Sequence, residues 1–462
     1  MNESKQQGQT LVLMLAFTLV LAIALIYLFN TSQLLAERTQ AKVLADHASY
    51  NTAVKQAQLL NANAYMNKAK IANQLATAQA VSVASWAEHF QPIPEHTQWI
   101  NLIPVYGNTI YSGLVTATNS LGQASEASAP FIIANNVATK SVSEQQNLLN
   151  NTSIIEIRKI PTKTLQNSSI GTDFKAEALP LSSHFSVNDP FNGNFIKQYQ
   201  GNSSDPYEGR QRLKDVVLAS RDPFTRERRV DSQWNLPGWI RTWNKKGFEL
   251  HRRGGTEVSN DLNQWKGVDT MSLHYEKLKI KWTGLSWKHR EDQIGYGSAL
   301  VRNDGGDNDR GNLAGYSNVL KNRDASNRSH QFTPSWDARS NNRIGWGETG
   351  IPRFWDLDPK FLAQDEPTLP LSIRITKGSD LLDTTSGAAE FKVGRELDIV
   401  SNDNISAISS AEVYFERPLQ DRRGSSTFLN NGKFEKASLL NPYWQVRLIN
   451  NSPEAIAEGR TR

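Results

Sequence analysis

Few residues in this chain combine the type and spacing that chemistry needs. The eight histidines, His47, His89, His96, His184, His251, His274, His289 and His330, are scattered, and no two stand at metal-ligand spacing. His274 and Glu276, two apart, share a face if their segment is a strand, the arrangement an acid–base pair requires. An ordinary surface pair meets the same pattern and is the reading preferred. Asp304, Asp307 and Asp309 in "VRNDGGDNDRGN" offer carboxylates to calcium. Their spacing departs from the D-x-[DN]-x-[DN]-G loop and no glutamate closes it at the twelfth position, so a solvated turn is expected. "SRDPFTRERR", Ser220 to Arg229, gathers basic residues around a turn. An anionic partner would suit it on charge steering alone, and a salt-bridged surface loop is the reading preferred.

Trp234, Trp239, Trp243, Trp265, Trp282 and Trp287 suit either a sugar-binding platform or a core whose indole N–H groups find acceptors, and the core is preferred. G-x-S-x-G, P-loop, H-E-x-x-H and G-x-G-x-x-G are all missing from the sequence. With no cysteine, disulfides, thiolate zinc sites and a cysteine nucleophile are excluded. No catalytic, cofactor-binding or metal residue is therefore assigned, no cofactor is expected, and a non-enzymatic protein is.

The elements around these residues are more telling. The chain has 462 residues, 38% of them hydrophobic, and a net charge of +5 from 51 Lys and Arg against 46 Asp and Glu. The basic residues are interleaved with acidic ones and form no tract, so nucleic acid is not an expected partner. Thr10 to Phe29 is twenty residues without a charge. A helix of that length covers about 30 Å, the thickness of a bilayer's hydrocarbon core. A secretory h-region is shorter, about 7–15 residues. Cleavage near Ala36 would also place Leu34 at the −3 position. A retained transmembrane helix over 10–29 is expected, after a head at 1–9; a cleaved signal and a buried core helix are the alternatives. Glu3 and Lys5 before the span, and Glu37, Arg38 and Lys42 after it, do not fix its orientation by themselves.

From Ser32 to Trp86 there is neither proline nor glycine, and alanine, the best helix former, is abundant. Leu34, Ala41, Leu44, Ala48, Leu59, Ala62, Ile71, Leu75 and Ala78 recur at helical spacing, with Asn and Gln between them. A long Ala/Asn-rich helix over 30–90 is expected, its small-residue face packing on the chain's own domain in preference to another subunit. Pro92 and Pro94 end it. Gly107, Gly113 and Gly122 read as turns and loops, and a second helix is expected from about Ala127 to Leu149, closing a region 91–162 that ends at Pro161. Over 163–462 the texture changes. Ten of the twelve tryptophans lie after residue 230. "KLKIKW" alternates Leu278, Ile280 and Trp282 with lysines, predicting one buried and one wet face; "LSIRITKG" and "YWQVRLIN" read as strands too. The predicted class is α+β: an N-terminal transmembrane helix, a long helix, then a sheet-rich domain with long loops.

The stretch "QGQTLVLMLAFTLVLAIALIYLFNTSQLLAERTQ" and the later "ANAYMNKAKIANQLATAQ", Ala62 to Gln79, resemble the Flp pilus-assembly TadE/G-like proteins of Gram-negative bacteria. Shared features are the Gly8-Gln9 lead-in, the span, Asn30-Thr31 and the Ala/Asn pattern. "SAEVYFERP" from Ser410 and "NPYWQVRL" from Asn441 resemble the tails of such proteins. The resemblance implies a single-pass inner-membrane protein with a cytoplasmic head and a periplasmic domain. Its implied role is assembly or anchoring of a Tad-type (type IVc) pilus, with the lipid bilayer and other Tad proteins or pilin subunits as partners. Two features depart from relatives. Processed pseudopilins carry glutamate at the fifth position after the glycine, where this chain has Leu13. The D-x-S-x-S of a von Willebrand A domain is missing, since "DTTSG" at Asp383 sets its serine one place late. An envelope glycan-binding protein and a membrane-anchored hydrolase remain as other classes, the latter needing a convergent acid–base pair in a cleft.

Overall fold

The computed structural model describes residues 6–102, 104–179, 195–203, 205, 207–234, 247–282, 284–302, 319–334, 350–378, 381, 404–416 and 436–461. The protein is α+β, with one long N-terminal helix, apolar at its start, and a sheet-rich remainder. That helix, α1, runs Gln6–Glu88 without a break. Its alanines and the lack of interior proline favour that length, and it stops just before Pro92.

Contacts divide the chain into two compact units that do not follow the linear order 30–90, 91–162 and 163–462. The first unit comprises 1–64, 148–197 and 357–462, and the second 65–147 and 198–356.

In the first unit, residues 34–64 of α1 present Leu34, Ala41, Leu44, Ala45, Ala48, Leu60 and Ala64 as a buried stripe. Strands β1 (Phe174–Ala178), β8 (Leu369–Lys377), β9 (Ile405–Phe415) and β10 (Trp444–Ile449) form an antiparallel sheet in the order β1-β8-β9-β10. Leu369, Leu371, Ile373 and Ile375 of β8 are fully buried, which a central strand needs. Polar pairs fix the helix against this sheet. Asn61 donates from Nδ2 to the Trp444 carbonyl at 2.9 Å and accepts the Trp444 N–H at Oδ1 at 3.0 Å. Lys377 Nζ reaches Glu37 Oε1 at 3.0 Å, both groups buried. Asp46 Oδ1 accepts from Ser409 at 2.5 Å.

In the second unit β3 (Arg228–Trp234), β4 (Phe248–Val258), β5 (Gln264–Lys281) and β6 (Gly284–Arg302) make an antiparallel meander. One face of it receives residues 74–89 of α1. Trp265 donates its indole N–H to Gln74 Oε1 at 2.7 Å; Ser82 and Thr256 pair their hydroxyls at 2.7 Å; Ser85 donates to Asp269 Oδ2 at 2.7 Å. Gln74, Ser82, Ser85 and His89 succeed one another at helical spacing, so one helix face meets the sheet. The sheet admits the helix because it carries glycine there. A Cβ on Gly297 would stand 2.4 Å from the His89 nitrogen, and one on Gly295 2.6 Å from the His89 carbonyl oxygen. The pairing of β5 with β6 shifts register between Met271 and Ser272, leaving Ile294 as an extra residue on β6.

Several expectations are corrected here. Gly107, Gly113 and Gly122 do not mark loops but lie in a helix, α3 (Gly107–Glu126), which follows the short α2 (Ile93–His96). Gly122 allows close approach, since a Cβ there would meet Gln91 Nε2 at 2.7 Å. The second helix, α4 (Ser128–Gln166), does not stop near Leu149 and passes through Pro161. Ile157 and Leu165, buried on either side, hold it where the local backbone preference would end it. Finally, "KLKIKW" is a strand, but its apolar residues are not buried: Ile280 is 75% and Trp282 fully exposed. Alternation follows β geometry, but no element covers that end of the strand pair among the described residues.

Candidate functional site

The segment with the clearest consequence is the start of α1. From Leu11 to Phe29 the large apolar side chains stand exposed: Leu11, Val12, Leu13, Met14, Leu15, Phe17, Leu19 and Val20 each show about two thirds of their surface. The helix is long and apolar enough to cross a membrane, and none of its most apolar stretch is buried within the chain. That observation separates it from a soluble core helix, whose apolar face would be covered. Two of its hydroxyls are satisfied inside the helix, Thr18 donating to the Leu15 carbonyl at 2.9 Å and Thr31 to the Tyr27 carbonyl at 2.8 Å. These two hydroxyls therefore need no water, which suits a segment in hydrocarbon.

The same helix changes character at Leu34, where burial begins. Its polar residues are then used internally. Asn63 and Asn150 exchange amide hydrogen bonds at 2.7 and 3.1 Å in the first unit. In the second, Lys70 is wholly buried, donating to Gln146 Oε1 and to the Arg353 carbonyl, each at 2.7 Å. Asn67 donates to the Trp355 carbonyl at 2.8 Å and accepts from Gln146 at 3.1 Å. The Ala/Asn face is thus covered by the chain's own elements. Spacing located that face; it gave no sign that Lys70 would be buried, because lysine is normally a surface residue.

The other predicted candidates fall apart as sites. His274 is not a surface residue: it is buried, its Nε2 3.0 Å from Asn322 Oδ1 and its Nδ1 2.9 Å from His289 Nε2. Both ring nitrogens are engaged within the unit, and burial lowers the imidazole below its ordinary value. In "SRDPFTRERR", Arg228 is drawn inward onto Asp269 at 2.7 Å, Arg229 pairs with Asp231 at 2.9 Å, and Arg221 bonds the Thr256 carbonyl. Asp222 caps the short α6 (Pro223–Arg226) by accepting from the Thr225 N–H at 3.0 Å. This is the salt-bridged loop of the sequence reading.

Trp265 fills the core as expected, but Trp234, Trp282 and Trp287 are exposed. Asp304, Asp307, Asp309, Trp239, Trp243 and Asp383 lie outside the described residues. Among the described residues no group of three or more His, Asp or Glu is arranged to hold a metal ion. A groove of about 550 Å3 lies between α1 and α4 in the first unit, lined by His47, Asn51, Lys55, Lys163 and Thr164. Lys55 there is paired to Glu156 at 3.1 Å.

Comparison with models of protein families, with curated proteins and with solved structures finds no match to this chain.

Proposed function

We propose that this chain is a single-pass membrane protein acting without catalysis in the assembly or anchoring of a Tad-type pilus. Its head would lie in the cytoplasm and the two units in the periplasm of a Gram-negative cell. The observation that carries the anchored part is the exposed apolar segment Leu11–Phe29, continuous with a helix that buries one face from Leu34 onward. A rigid connection of that kind holds a water-facing structure at a fixed offset from a bilayer, which suits a stationary element beside a growing filament. The pilus role is supported by the likeness of the Gly8-Gln9 lead-in, the span and the Ala62–Gln79 pattern to TadE/G-like proteins. Exposed Trp234, Trp282 and Trp287 favour glycan binding as a second reading.

Deletion of the gene should abolish Tad pili and reduce surface attachment; unchanged piliation sinks the pilus role. Sedimentation of the full protein with peptidoglycan, lost on Trp234→Ala, would instead favour the glycan reading. Mass spectrometry of the N-terminus of protein extracted from membranes separates two versions of the pilus role. An intact terminus fits a stationary assembly factor, and a terminus at Gln9 fits a processed filament subunit.

A further inference from the structure

The segment between α2 and α3, and the outer side of α3 itself, are built unlike the rest of the second unit. From Thr97 to Ser125 no residue is charged, although 21% of the whole chain is. Trp99, Leu102, Val105, Tyr106 and Ile110 each show more than half of their surface, and Val105 86%. Val105 is held at φ 74°, a left-handed conformation that a β-branched residue rarely adopts. The 3-10 turn Gln98–Leu102 packs against the first residue of α3, where a Cβ on Gly107 would stand 2.1 Å from the Ile100 carbonyl oxygen. The five side chains therefore gather at one tip. Along α3 one side is covered: Thr118 and Ser125 are buried, and Gly122 lies under Gln91. On another side Tyr106, Ile110, Gly113, Ala117, Ser120 and Ala124 are all exposed. They follow one another at intervals of four, three, four, three and four, the heptad spacing of a helix–helix seam. Gly113 has nothing within 4 Å of where a Cβ would stand.

Exposed apolar side chains on this scale mark a surface that something covers. The five at the tip expose on the order of 600 Å2 between them. A standard interface takes about 800 Å2 from each partner, so the tip together with the seam below it reaches that size. The chemistry narrows the occupant. A face without charge gives no hold to a charged partner, whose groups would lose their water and gain no counter-ion. A heptad seam takes an α-helix that carries the same repeat. A second copy of this chain supplies both an uncharged face and a matching seam. We propose that two copies associate side by side through α3, the seam from Tyr106 to Ala124 of one facing the same seam of the other about a two-fold axis along the helix. Tyr106 and Ile110 pack against their counterparts at the tip, and the small residues below them let the two helices approach closely. The parallel sense rests on the anchored reading. Rotation about an axis along α3 leaves both N-terminal spans at the same level along it, as two chains in one bilayer require, whereas an antiparallel pair would send them opposite ways.

The natural chain has no cysteine, so a single introduced thiol is a unique handle. In the experiment the full-length protein is purified in detergent, its mass is read by sedimentation over a range of concentrations, and single-cysteine variants are oxidised. The expected result is a monomer–dimer equilibrium. Ile110→Glu sets two carboxylates across the seam and should weaken the dimer about a hundred-fold or more. Because Ile110 is exposed, the circular dichroism of that variant should match the natural chain's. Ser120→Cys should form a disulfide-linked dimer, and Asn119→Cys, about 100° round the helix, should not. A chain that stays monomeric at every concentration overturns the proposal. So does a dimer that Ile110→Glu leaves intact, which would assign the association to the span, and so does equal cross-linking through Ser120→Cys and Asn119→Cys. Linkage of Ile110→Cys to Ser120→Cys in a mixture, with none between two Ser120→Cys chains, would show an antiparallel pair and overturn the parallel one. Recovery of the protein from the soluble fraction of cells counts against the span alone, since mass and cross-linking are read on the purified chain.

Discussion

Arg228 grips Asp269 with two parallel hydrogen bonds, Nε to Oδ1 at 2.7 Å and Nη2 to Oδ2 at 2.8 Å, where both side chains are buried. Ser85 of α1 donates to the same carboxylate at 2.7 Å. The pair therefore joins the start of β3, the centre of the sheet and the helix through one charged cluster. Removing one member strands the other charge in a dry site. Asp269→Asn or Arg228→Met should each destabilise the second unit by about 3–5 kcal/mol. Replacing both by apolar residues should restore much of that loss. Hydrogen exchange of β4 and β5 in the three variants measures it, and an additive double variant would contradict the coupling.

Glycine positions give a pair of opposite signs. Gly297→Ala puts a methyl group 2.4 Å from the His89 nitrogen, in contact with backbone that has little room to move. A loss of about 1–3 kcal/mol is expected from such overpacking. Gly113, inside α3, has nothing within 4 Å of the same construction. Gly113→Ala should stabilise that helix by up to about 1 kcal/mol. Thermal unfolding of the two variants in one detergent should move the midpoint in opposite directions.

Acidity should act on the second unit through Glu88 and His89. Burial raises the Glu88 carboxyl to about 7, helped by Glu126 and opposed by a hydrogen bond with Ser125. Burial lowers the His89 imidazole to about 4. Because the folded Glu88 holds its proton more tightly than the unfolded one, its favourable contribution is complete below about 4.5 and is lost as pH rises through 7. His89 acts in the other sense: its contribution is complete above about 6.5 and is lost as pH falls through 4. Glu88→Gln should flatten the alkaline decline, and His89→Gln the acid one. A stability profile of Glu88→Gln that still declines between pH 5 and 7 as steeply as the natural chain's would refute the Glu88 assignment.

The span predicts its own disruption. Arginine at a helix centre in a bilayer is unfavourable by about 2.5–3.5 kcal/mol on insertion scales. Phe17→Arg combined with Leu21→Arg should shift the chain from the carbonate-resistant membrane fraction to the soluble one. Persistence of the double variant in the membrane would mean that the segment is not what holds the protein there.

Asn61 offers a test in the first unit, where it satisfies both backbone groups of Trp444. Asn61→Ala leaves a buried edge of β10 without its partners and should cost about 1–3 kcal/mol. Asn61→Asp sets a carboxylate oxygen against the Trp444 carbonyl in place of the donating amide and should cost at least as much as alanine, measured by unfolding or by protection of the Trp444 amide.

What the sequence determined by itself was whatever depends on neighbours along the chain. The charge-free run Thr10–Phe29, the proline-free alanine helix after it and the β alternation of Lys277 to Lys281 are all legible because rise, propensity and side-chain period are local properties. Which faces would be covered was not legible. The alternation in "KLKIKW" promised a buried face, yet Ile280 is exposed, while Lys70, polar by type, is enclosed by Gln146 and the Arg353 carbonyl. Gly113 and Gly122 signalled turns by composition, and α3 holds them because Gln91 packs where a Cβ would stand at Gly122. Pro161 signalled a stop, and burial of Ile157 and Leu165 carries α4 past it. Covering a face requires a partner from far along the chain, and the free energy of that burial exceeds the few kcal/mol by which local preferences are expressed. Long-range packing, which brings strands β3 to β6 onto residues 74–89 and β8 to β10 onto residues 34–64, settled those points.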